Sequence, residues 1–237
     1  MSSIADNIGS VTRRIQKATL QAGRAPESVH LLAVSKTRSP DELREAHQSG
    51  QSAFGENYLQ EALEKMEALG DIADLEWHFI GPIQSNKTRQ IAASFSWVHS
   101  VDRLKIARRL SEHRPENLPP LNICLQVNID GEDTKSGCTL ESLPELVEAI
   151  SDLPRLSLRG LMAIPAPDQP EATLRARFRS MANALKNLKQ DFPAAGPLDT
   201  LSMGMSGDLE LAIAEGATWV RVGTALFGPR PPKGDQS

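Results

Sequence analysis

Residues 29–48, VHLLAVSKTRSPDELREAHQ, decide the fold, because they form the first of a series of strand-then-helix units. The apolar run Val29–Val34 predicts a buried β-strand. A helix is predicted over Pro40–Gln48, with Ser39 as its N-cap and Pro40 at its first position. Seven further β-like runs follow along the chain: Ser52–Phe54, Trp77–Ile80, Trp97–Ser100, Leu121–Val127, Ser157–Met162, Thr200–Ser202 and Trp219–Val222.

Seven of the eight predicted strands precede a convincing helical pattern. The predicted helices are Pro40–Gln48, Tyr58–Leu69, Ser85–Ser94, Arg103–His113, Leu143–Ile150, Glu171–Gln190 and Leu209–Glu215, and a short segment, Ala225–Phe227, follows the last strand. Strand–helix alternation indicates parallel strands with helices outside them. Eight such units within 237 residues predict a single (β/α)8 barrel. An open doubly wound sheet is the alternative, although it would normally use fewer strands.

An additional amphipathic helix is predicted at the N-terminus, with Ile4, Ile8, Val11 and Ile15 on one face. We find no composition change that would divide the chain. We therefore assign residues 1–230 to one barrel domain, and residues 231–237, which carry no apolar anchor, to a disordered tail.

The composition excludes several classes of protein. The net charge of −4 and a pI near 5.8 argue against nucleic-acid binding, which normally needs a basic surface. No apolar stretch approaches the roughly 20 residues that span a bilayer, and the first 20 residues lack the apolar core of a signal peptide. Two cysteines provide neither a disulfide framework nor a zinc site. We expect a cytoplasmic protein with reduced thiols, no metal and no membrane contact.

Lys36 comes shortly after the first predicted strand. If that strand alternates sides, Leu32, Val34 and Lys36 share one face, which in a barrel is the interior, with the amine at the mouth. Desolvation of a lysine favours its neutral form, which can attack an aldehyde. From position alone, an ordinary solvated lysine is the alternative interpretation.

Two turns of small residues follow the last two predicted strands. Residues 202–208, SMGMSGD, present Ser206 before a helix, and Gly223 and Thr224 follow the final strand. In such barrels the loops after strands seven and eight often hold a phosphate. An ordinary N-cap is the alternative at the first turn, where we expect Asp208 to face away. A reactive amine and two phosphate-sized turns together indicate a phosphorylated aldehyde, and specifically pyridoxal 5'-phosphate (PLP).

Arg221 occupies an unusual position in the last predicted strand. Trp219, Arg221 and Gly223 share one face, while Val220 and Val222 point to the other. Valines that pack outward against helices would place the arginine inside the barrel, where it needs a partner. A permanent cation facing the pyridine nitrogen of PLP would keep that nitrogen unprotonated and weaken the ring as an electron sink. A core carboxylate as the arginine's partner is the alternative.

Nine ordered segments identify a family: Ala33–Thr37, Phe54–Tyr58, Trp77–Gly81, Gln84–Lys87, Gln126–Asn128, Lys135–Gly137, Gly160–Met162, Leu201–Ser206 and Arg221–Gly228. In these segments the chain resembles the pyridoxal phosphate homeostasis proteins, also called the YggS or proline synthetase co-transcribed family. The resemblance extends from about Ile4 to Arg230, nearly the whole sequence.

The resemblance implies a barrel of the alanine racemase N-terminal type that binds PLP as an internal aldimine. Carried over by motif, Lys36 matches the aldimine lysine. Ser206, Gly223 and Thr224 match the phosphate cradle, and Arg221 matches the arginine that faces the pyridine nitrogen.

Four further residues lie in or beside these motifs. Asn57 and Met162, at other strand ends, resemble ring-side neighbours of the cofactor. His78 has no assigned role, and a hydrogen-bonded core histidine is the main interpretation. Alanine racemase has a second, β-rich domain, and its partner subunit contributes a tyrosine as the opposite-face base. Here the sequence ends at Ser237, and Tyr58 is its single tyrosine. Tyr58 and His78 are the candidates for a second acid–base group, and neither is convincing.

The resemblance therefore implies a carrier and buffer of PLP rather than an enzyme, with PLP-dependent apo-enzymes as candidate partners. An amino-acid racemase of the same fold is the first alternative. An aldolase-like barrel whose lysine captures a phosphosugar is the second. We assign no catalytic residue and expect a monomer.

Overall fold

The computed structural model describes residues 3–132 and 136–229, and these form a closed barrel of eight parallel strands. The strands pair in sequence order, and the last pairs back onto the first. This topology confirms the predicted barrel and excludes the open sheet. The strands are β1 His30–Val34, β2 Ala53–Glu56, β3 Glu76–Phe79, β4 Trp97–Val101, β5 Leu121–Val127, β6 Leu156–Ala163, β7 Thr200–Ser202 and β8 Trp219–Val222.

A helix precedes the barrel and helices follow each strand within the described residues. They are α1 Ile4–Gln21, α2 Pro40–Gln48, α3 Leu59–Ala68, α4 Thr88–Ser94, α5 Leu104–His113, α6 Leu143–Ser151, α7 Glu171–Asp191, α8 Leu209–Ala214 and α9 Thr224–Phe227. The predicted helix at Ser85 instead opens with a 3-10 turn, Ser85–Lys87, in which the Lys87 N–H donates to the Gln84 carbonyl at 2.9 Å. The predicted tail, 231–237, lies outside the described residues.

Capping explains why α2 begins where the sequence predicts. The Ser39 hydroxyl accepts from the Glu42 N–H at 3.3 Å, and the Glu42 carboxylate accepts from the Ser39 N–H at 2.7 Å. Pro40 occupies the first turn, where its missing N–H costs nothing. This reciprocal pair sets the direction in which the chain leaves the Lys36 loop.

The wall of strands separates an outer apolar layer from smaller apolar groups inside the barrel. The larger layer lies between strands and helices and includes Ala33, Phe54, Phe79, Val98, Ile123, Leu161, Val220 and Val222. The outward direction predicted for Val220 and Val222 is therefore confirmed. Smaller groups fill the barrel interior, and their members are Leu32, Ala53, Ile80, Trp97, Cys124, Met162 and Trp219. Between these groups the interior is polar, because His78, His99, Ser202 and Arg221 are also buried.

Helix α1 packs against α2, α8 and α9 and so covers the seam where β8 meets β1. The Asn7 side-chain amide donates to the Leu226 carbonyl at 2.8 Å, and Arg24 donates to the carbonyls of Ile213 and Ala217. These bonds attach the start of the chain to its last two units. Within residues 3–132 and 136–229, no helix has the length and apolar character needed to cross a membrane.

Candidate functional site

A cavity of about 270 Å³ opens at the carboxyl ends of β1, β7 and β8. It brings together five of the seven predicted site residues, although they are far apart in sequence. Its lining consists of Val34, Lys36, Arg38, Met205, Ser206, Gly207, Arg221, Gly223 and Thr224. The positions agree with the rule that barrel active sites form where the strands end.

Lys36 lies in the turn that follows β1, and its side chain is half-buried in the cavity wall. Val34, two residues before it, packs against the interior group, so the predicted shared face is confirmed. The next residue, Thr37, has φ 64°, an uncommon conformation for a β-branched residue. The N–H of Thr37 donates to the Glu61 carboxylate, which holds this turn in place.

A buried ion cluster supports the same turn from behind. The Lys65 ammonium donates to the Ser35 carbonyl at 2.6 Å, to the Glu56 carboxylate at 2.7 Å and to the Glu61 carboxylate at 2.6 Å. Ser35 also donates its hydroxyl to Glu56 at 2.6 Å. Burial raises the pKa of Glu56, while the Lys65 charge opposes that shift. The cluster thus fixes the residues on both sides of Lys36.

The loop after β7 is shaped by a glycine and an aspartate. Gly204 has φ 93°, and a Cβ there would lie 2.5 Å from the Ala212 Cβ. Asp208 precedes α8 and accepts from the Met205 N–H, which turns its carboxylate back into the loop. Burial raises the pKa of this carboxyl group. Asp208 is absent from the cavity lining, as expected from the sequence.

The loop after β8 approaches the β1 end closely. A Cβ on Gly223 would lie 3.2 Å from the Val34 carbonyl, so a side chain would crowd this approach. Thr224 begins α9 immediately afterwards. Gly223 and Thr224 line the same cavity as Ser206.

Two arginines that the sequence did not single out serve these loops. Arg38 lines the cavity and donates to the carbonyls of Phe227 and Gly228 at 2.9 and 2.6 Å. Arg14 donates to the Ser206 carbonyl at 3.0 Å and pairs with Glu210. Arg38 follows Lys36 by two residues, and this short distance could have indicated from the sequence that Arg38 lies at the same cavity. The partners of Arg14 lie more than 190 residues away, and nothing local indicates them.

Arg221 lies inside the barrel, as its position in the strand predicted, and is 4% exposed. It donates to the Ser202 carbonyl and hydroxyl at 2.6 and 2.8 Å and to the Ala163 carbonyl at 2.8 Å. Its hydrogen-bond partners are therefore neutral oxygens, and the core carboxylate considered above is not among them. Burial lowers the pKa of Arg221 to about 10, so the side chain is a cation at neutral pH.

The other two predicted site residues lie outside this cavity. Asn57 lines a neighbouring depression with Gln126 and Asn128, and among the described residues nothing bonds its buried Oδ1. Met162 is fully buried inside the barrel, where it packs with Trp97 and Cys124. It is the second-last residue of β6, which continues through Ala163.

Neither candidate for a second acid–base group lines the cavity. Tyr58 is 57% exposed and lies beside a separate depression. His78 is fully buried and hydrogen-bonded through both ring nitrogens, which agrees with its interpretation as a core histidine.

Comparison with known proteins identifies the family. Residues 7–231 match the family model described as "Alanine racemase, N-terminal domain". The pyridoxal phosphate homeostasis protein of Pseudomonas aeruginosa is 61% identical over 97% of this chain and 97% of its own length. The chain belongs to the pyridoxal phosphate homeostasis protein family. The family protein of Escherichia coli strain K12 is 51% identical over 97% of this chain and 98% of its own length. The resemblance inferred from the nine segments is thereby confirmed.

Solved structures place the family's fold among known barrels. The structure of PipY from Synechococcus elongatus with PLP bound is 39% identical, covers 95% of this chain and 100% of PipY, and gives a TM-score of 0.83. The superposition on alanine racemase from Corynebacterium glutamicum covers 98% of this chain and 61% of that enzyme, at 17% sequence identity and a TM-score of 0.68. That likeness shows a shared fold. The homeostasis protein family thus uses the barrel type that the sequence predicted.

Proposed function

We propose that this protein binds PLP covalently and reversibly at Lys36, and that it carries and buffers the cofactor rather than acting as an enzyme. The observation that carries the proposal is the single cavity that collects the Lys36 amine, the Ser206 and Gly223–Thr224 loops, and Arg221. The names of its relatives and the PLP-bound PipY structure support the same ligand.

The cavity lining matches the two ends of the cofactor. Backbone N–H groups in tight loops, together with hydroxyls, suit a dianionic phosphate, and Ser206, Gly223 and Thr224 supply both. The Lys36 amine condenses with the aldehyde carbon of PLP, with loss of one water, and addition of water releases both again. This reversibility is what a carrier requires.

Arg221 disfavours transamination and suits either storage of the cofactor or racemisation. A cation that faces the pyridine nitrogen keeps the nitrogen unprotonated, and the ring then accepts electrons from a substrate poorly. The bonds to Ser202 and Ala163 use three of the five guanidinium N–H groups and hold the group still.

The acid–base groups also favour a carrier. Racemisation with two bases needs a group on each face of the substrate α-carbon. Lys36 can serve one face. Tyr58 and His78, the candidates for the other face, both lie outside the cavity lining.

The direct test is to locate the attachment. Protein loaded with PLP should be yellow, should bleach with borohydride, and should yield one pyridoxyl-modified peptide that contains Lys36. The Lys36→Ala variant should lose the covalent attachment and keep weak, phosphate-dependent binding, because the cradle is formed by other loops. Lys105→Ala, at an exposed site on α5, is the matched control and should behave as the wild type. A modified peptide from another part of the chain contradicts the proposal, and so does a colourless loaded protein, which fits the aldolase-like alternative.

A second experiment separates carriage from racemisation. The PLP-loaded protein is incubated with L-alanine in heavy water, and deuterium at the α-carbon is followed by NMR. A carrier should show exchange far below enzyme-like rates, whereas exchange at enzyme-like rates supports the racemase.

We further propose that PLP-dependent apo-enzymes receive the cofactor, in the cytoplasm, from a monomeric carrier. Mixing the loaded protein with an excess of an apo-enzyme should restore that enzyme's activity while the Lys36 absorbance falls. Light scattering should give the mass of one 25.8 kDa chain, and cell fractionation should place the protein in the cytoplasmic fraction. The mass of a dimer would contradict the monomeric state, and recovery in the membrane fraction would contradict the cytoplasmic location. Neither result would contradict cofactor binding.

A further inference from the structure

An unbroken chain of hydrogen bonds passes through the polar interior of the barrel. The Glu76 carboxylate lies 2.7 Å from His78 Nε2, and His78 Nδ1 lies 2.9 Å from His99 Nε2. His99 Nδ1 lies 2.7 Å from Ser202 Oγ, and Arg221 donates to that same oxygen at 2.8 Å. These five side chains, from β3, β4, β7 and β8, are called the relay below.

The two ends of the relay lie at opposite mouths of the barrel. Glu76 is the first residue of β3, and its side chain is 43% exposed. It lines a cavity of about 550 Å³ together with His30, Trp97 and Trp219, each of which is also the first residue of its strand. Arg221, at the other end, lines the cavity that holds Lys36. The relay therefore joins the surface at one end of the barrel to the candidate cofactor site at the other.

The direction of every proton in the relay follows from the groups present. The hydrogen bond with His78 lowers the pKa of Glu76, so this carboxylate is ionised at neutral pH and can only accept; His78 Nε2 must therefore carry a proton. In a neutral ring His78 Nδ1 then accepts from His99 Nε2, and His99 Nδ1 accepts from the Ser202 hydroxyl. Arginine has no acceptor atom, so Arg221 donates to Ser202 Oγ. Each bond has one donor and one acceptor, and all donors point towards Glu76.

The surroundings keep both imidazoles neutral. Burial lowers the pKa of His78 and of His99, and the charge of Arg221 acts on His99 in the same direction. Glu76 raises the pKa of His78, and His30 opposes it. The Trp97 ring stacks on His78 with 5.3 Å between centroids and 4° between planes, which leaves the histidine little freedom to rotate. A proton added to either ring would leave Ser202 Oγ accepting from both His99 and Arg221, and the Ser202 hydroxyl proton would lose its acceptor in the relay.

We propose that the relay is a positioning device, which fixes the orientation and charge of Arg221 from the opposite mouth of the barrel. The inference rests on the proposed function in so far as Arg221 faces the cofactor ring. A buried cation is costly to desolvate. The hydrogen-bond partners of Arg221 include no carboxylate, although the charge of Asp208 acts on it. The aligned relay adds an oriented series of dipoles that ends in the Glu76 charge. His78, His99 and Ser202 act through Arg221 and touch no cofactor atom themselves.

Nitrogen-15 NMR of the cofactor-free protein tests the proton arrangement without any cofactor. The chain has five histidines, and substituting His30, His47 and His113 by Gln, one at a time, assigns the remaining two. At pH 7 both His78 and His99 should be neutral with the proton on Nε2. A proton on Nδ1 of either ring, or a doubly protonated ring, overturns the relay.

Variants of Ser202 test the influence on the cofactor. Ser202→Ala breaks the relay, and Ser202→Thr retains the hydroxyl. Cys124→Ala, at another buried interior position, is the matched control. In Ser202→Ala the pH midpoint of the bound cofactor's visible absorbance should move by about half a unit or more, because the charge environment of the ring changes. Ser202→Thr and Cys124→Ala should keep the wild-type midpoint.

The outcomes separate the two proposals. A wild-type midpoint in Ser202→Ala, or an equal shift in Cys124→Ala, overturns the relay even where Lys36 is labelled. Failure to label Lys36 in the borohydride experiment contradicts the proposed function, and the histidine tautomers of the cofactor-free protein then still decide on the relay.

Discussion

The Lys65 ammonium lies 2.6 Å from the carbonyl oxygen of Ser35, the residue that precedes Lys36. Lys65 is 3% exposed, and Glu56, its carboxylate partner, is fully buried. Removing one member of such a pair leaves an uncompensated buried charge. We therefore expect Lys65→Met to lower the free energy of unfolding by about 3–5 kcal/mol, measured by urea denaturation of the cofactor-free protein.

The double variant Lys65→Met/Glu56→Gln should recover a substantial part of this loss, because the fully buried Glu56 charge is removed as well and the remaining carboxylate, Glu61, is partly exposed. Lys186→Met, at an exposed site on α7, is the control and should change stability by less than about 0.5 kcal/mol. Equal losses in the single and double variants would show that the ion pair itself is not responsible.

Gly204→Ala tests the loop that follows β7. The new methyl group would meet the Ala212 Cβ at 2.5 Å, in addition to the strain of φ 93°. We expect a loss of about 2–4 kcal/mol in stability and weaker PLP binding, read by thermal unfolding and by titration. Gly50→Ala separates the two causes, because Gly50 has φ 91° and nothing within 4 Å of the added Cβ. If both variants lose equally, strain alone explains the effect and the close approach does not matter.

Stability should fall as the pH drops through about 6.5. Burial lowers the pKa of His78 and His99 below that ordinary value, so in this range the unfolded chain binds protons that the folded chain refuses. Each histidine can contribute up to about 1.4 kcal/mol per pH unit. Glu56, whose pKa is raised by burial, acts in the opposite direction at lower pH.

Urea denaturation of wild type and His99→Gln between pH 7.5 and about 5.5 isolates the histidine effect. The slope of unfolding free energy against pH should be smaller in His99→Gln than in the wild type. A flat wild-type profile would mean that the buried rings accept protons in the folded state.

Arg221→Glu tests the electrostatic role of Arg221 towards the cofactor. A carboxylate facing the pyridine nitrogen should protonate it, strengthen the ring as an electron sink and raise transamination. The measurement is pyruvate formed from L-alanine by the PLP-loaded variant. Arg221→Lys keeps a cation and should stay at the wild-type level. Identical pyruvate yields in all three proteins would remove Arg221 from the vicinity of the ring.

The sequence predicted the barrel because most strand residues are buried and the strands read as short runs rich in apolar residues. β5 and β8 illustrate this, with ends at Val127 and Val222 as expected. The place of Ser206 and Gly223 at the Lys36 cavity was predictable from the same count, which puts these residues after strands seven and eight; their role in holding a phosphate stays a prediction. The alternation of β8 also placed Arg221 in the interior.

The sequence did not show whether the ends of β2 and β6 share a cavity with those of β1, β7 and β8. Asn57 and Met162 were predicted to lie beside the cofactor because each stands near a strand end, and this stays a prediction. Asn57 lines a separate depression, and Met162 is buried within β6. The contacts of Arg14 and Arg38 depend on segments about 190 residues distant. Such partners become visible only when the chain is folded.

The pairing of β1 with β8 has a consequence for the stage of synthesis at which the chain can bind the cofactor. Lys36 leaves the ribosome early, while Ser206, Gly223 and Thr224 are among the last residues made. Helix α1 must likewise wait for α8 and α9 before it can dock. Under the proposed function, a nascent chain lacking its final two units carries the Lys36 amine without the loops proposed to hold the phosphate. We therefore expect PLP capture to begin only once translation has passed the last strand.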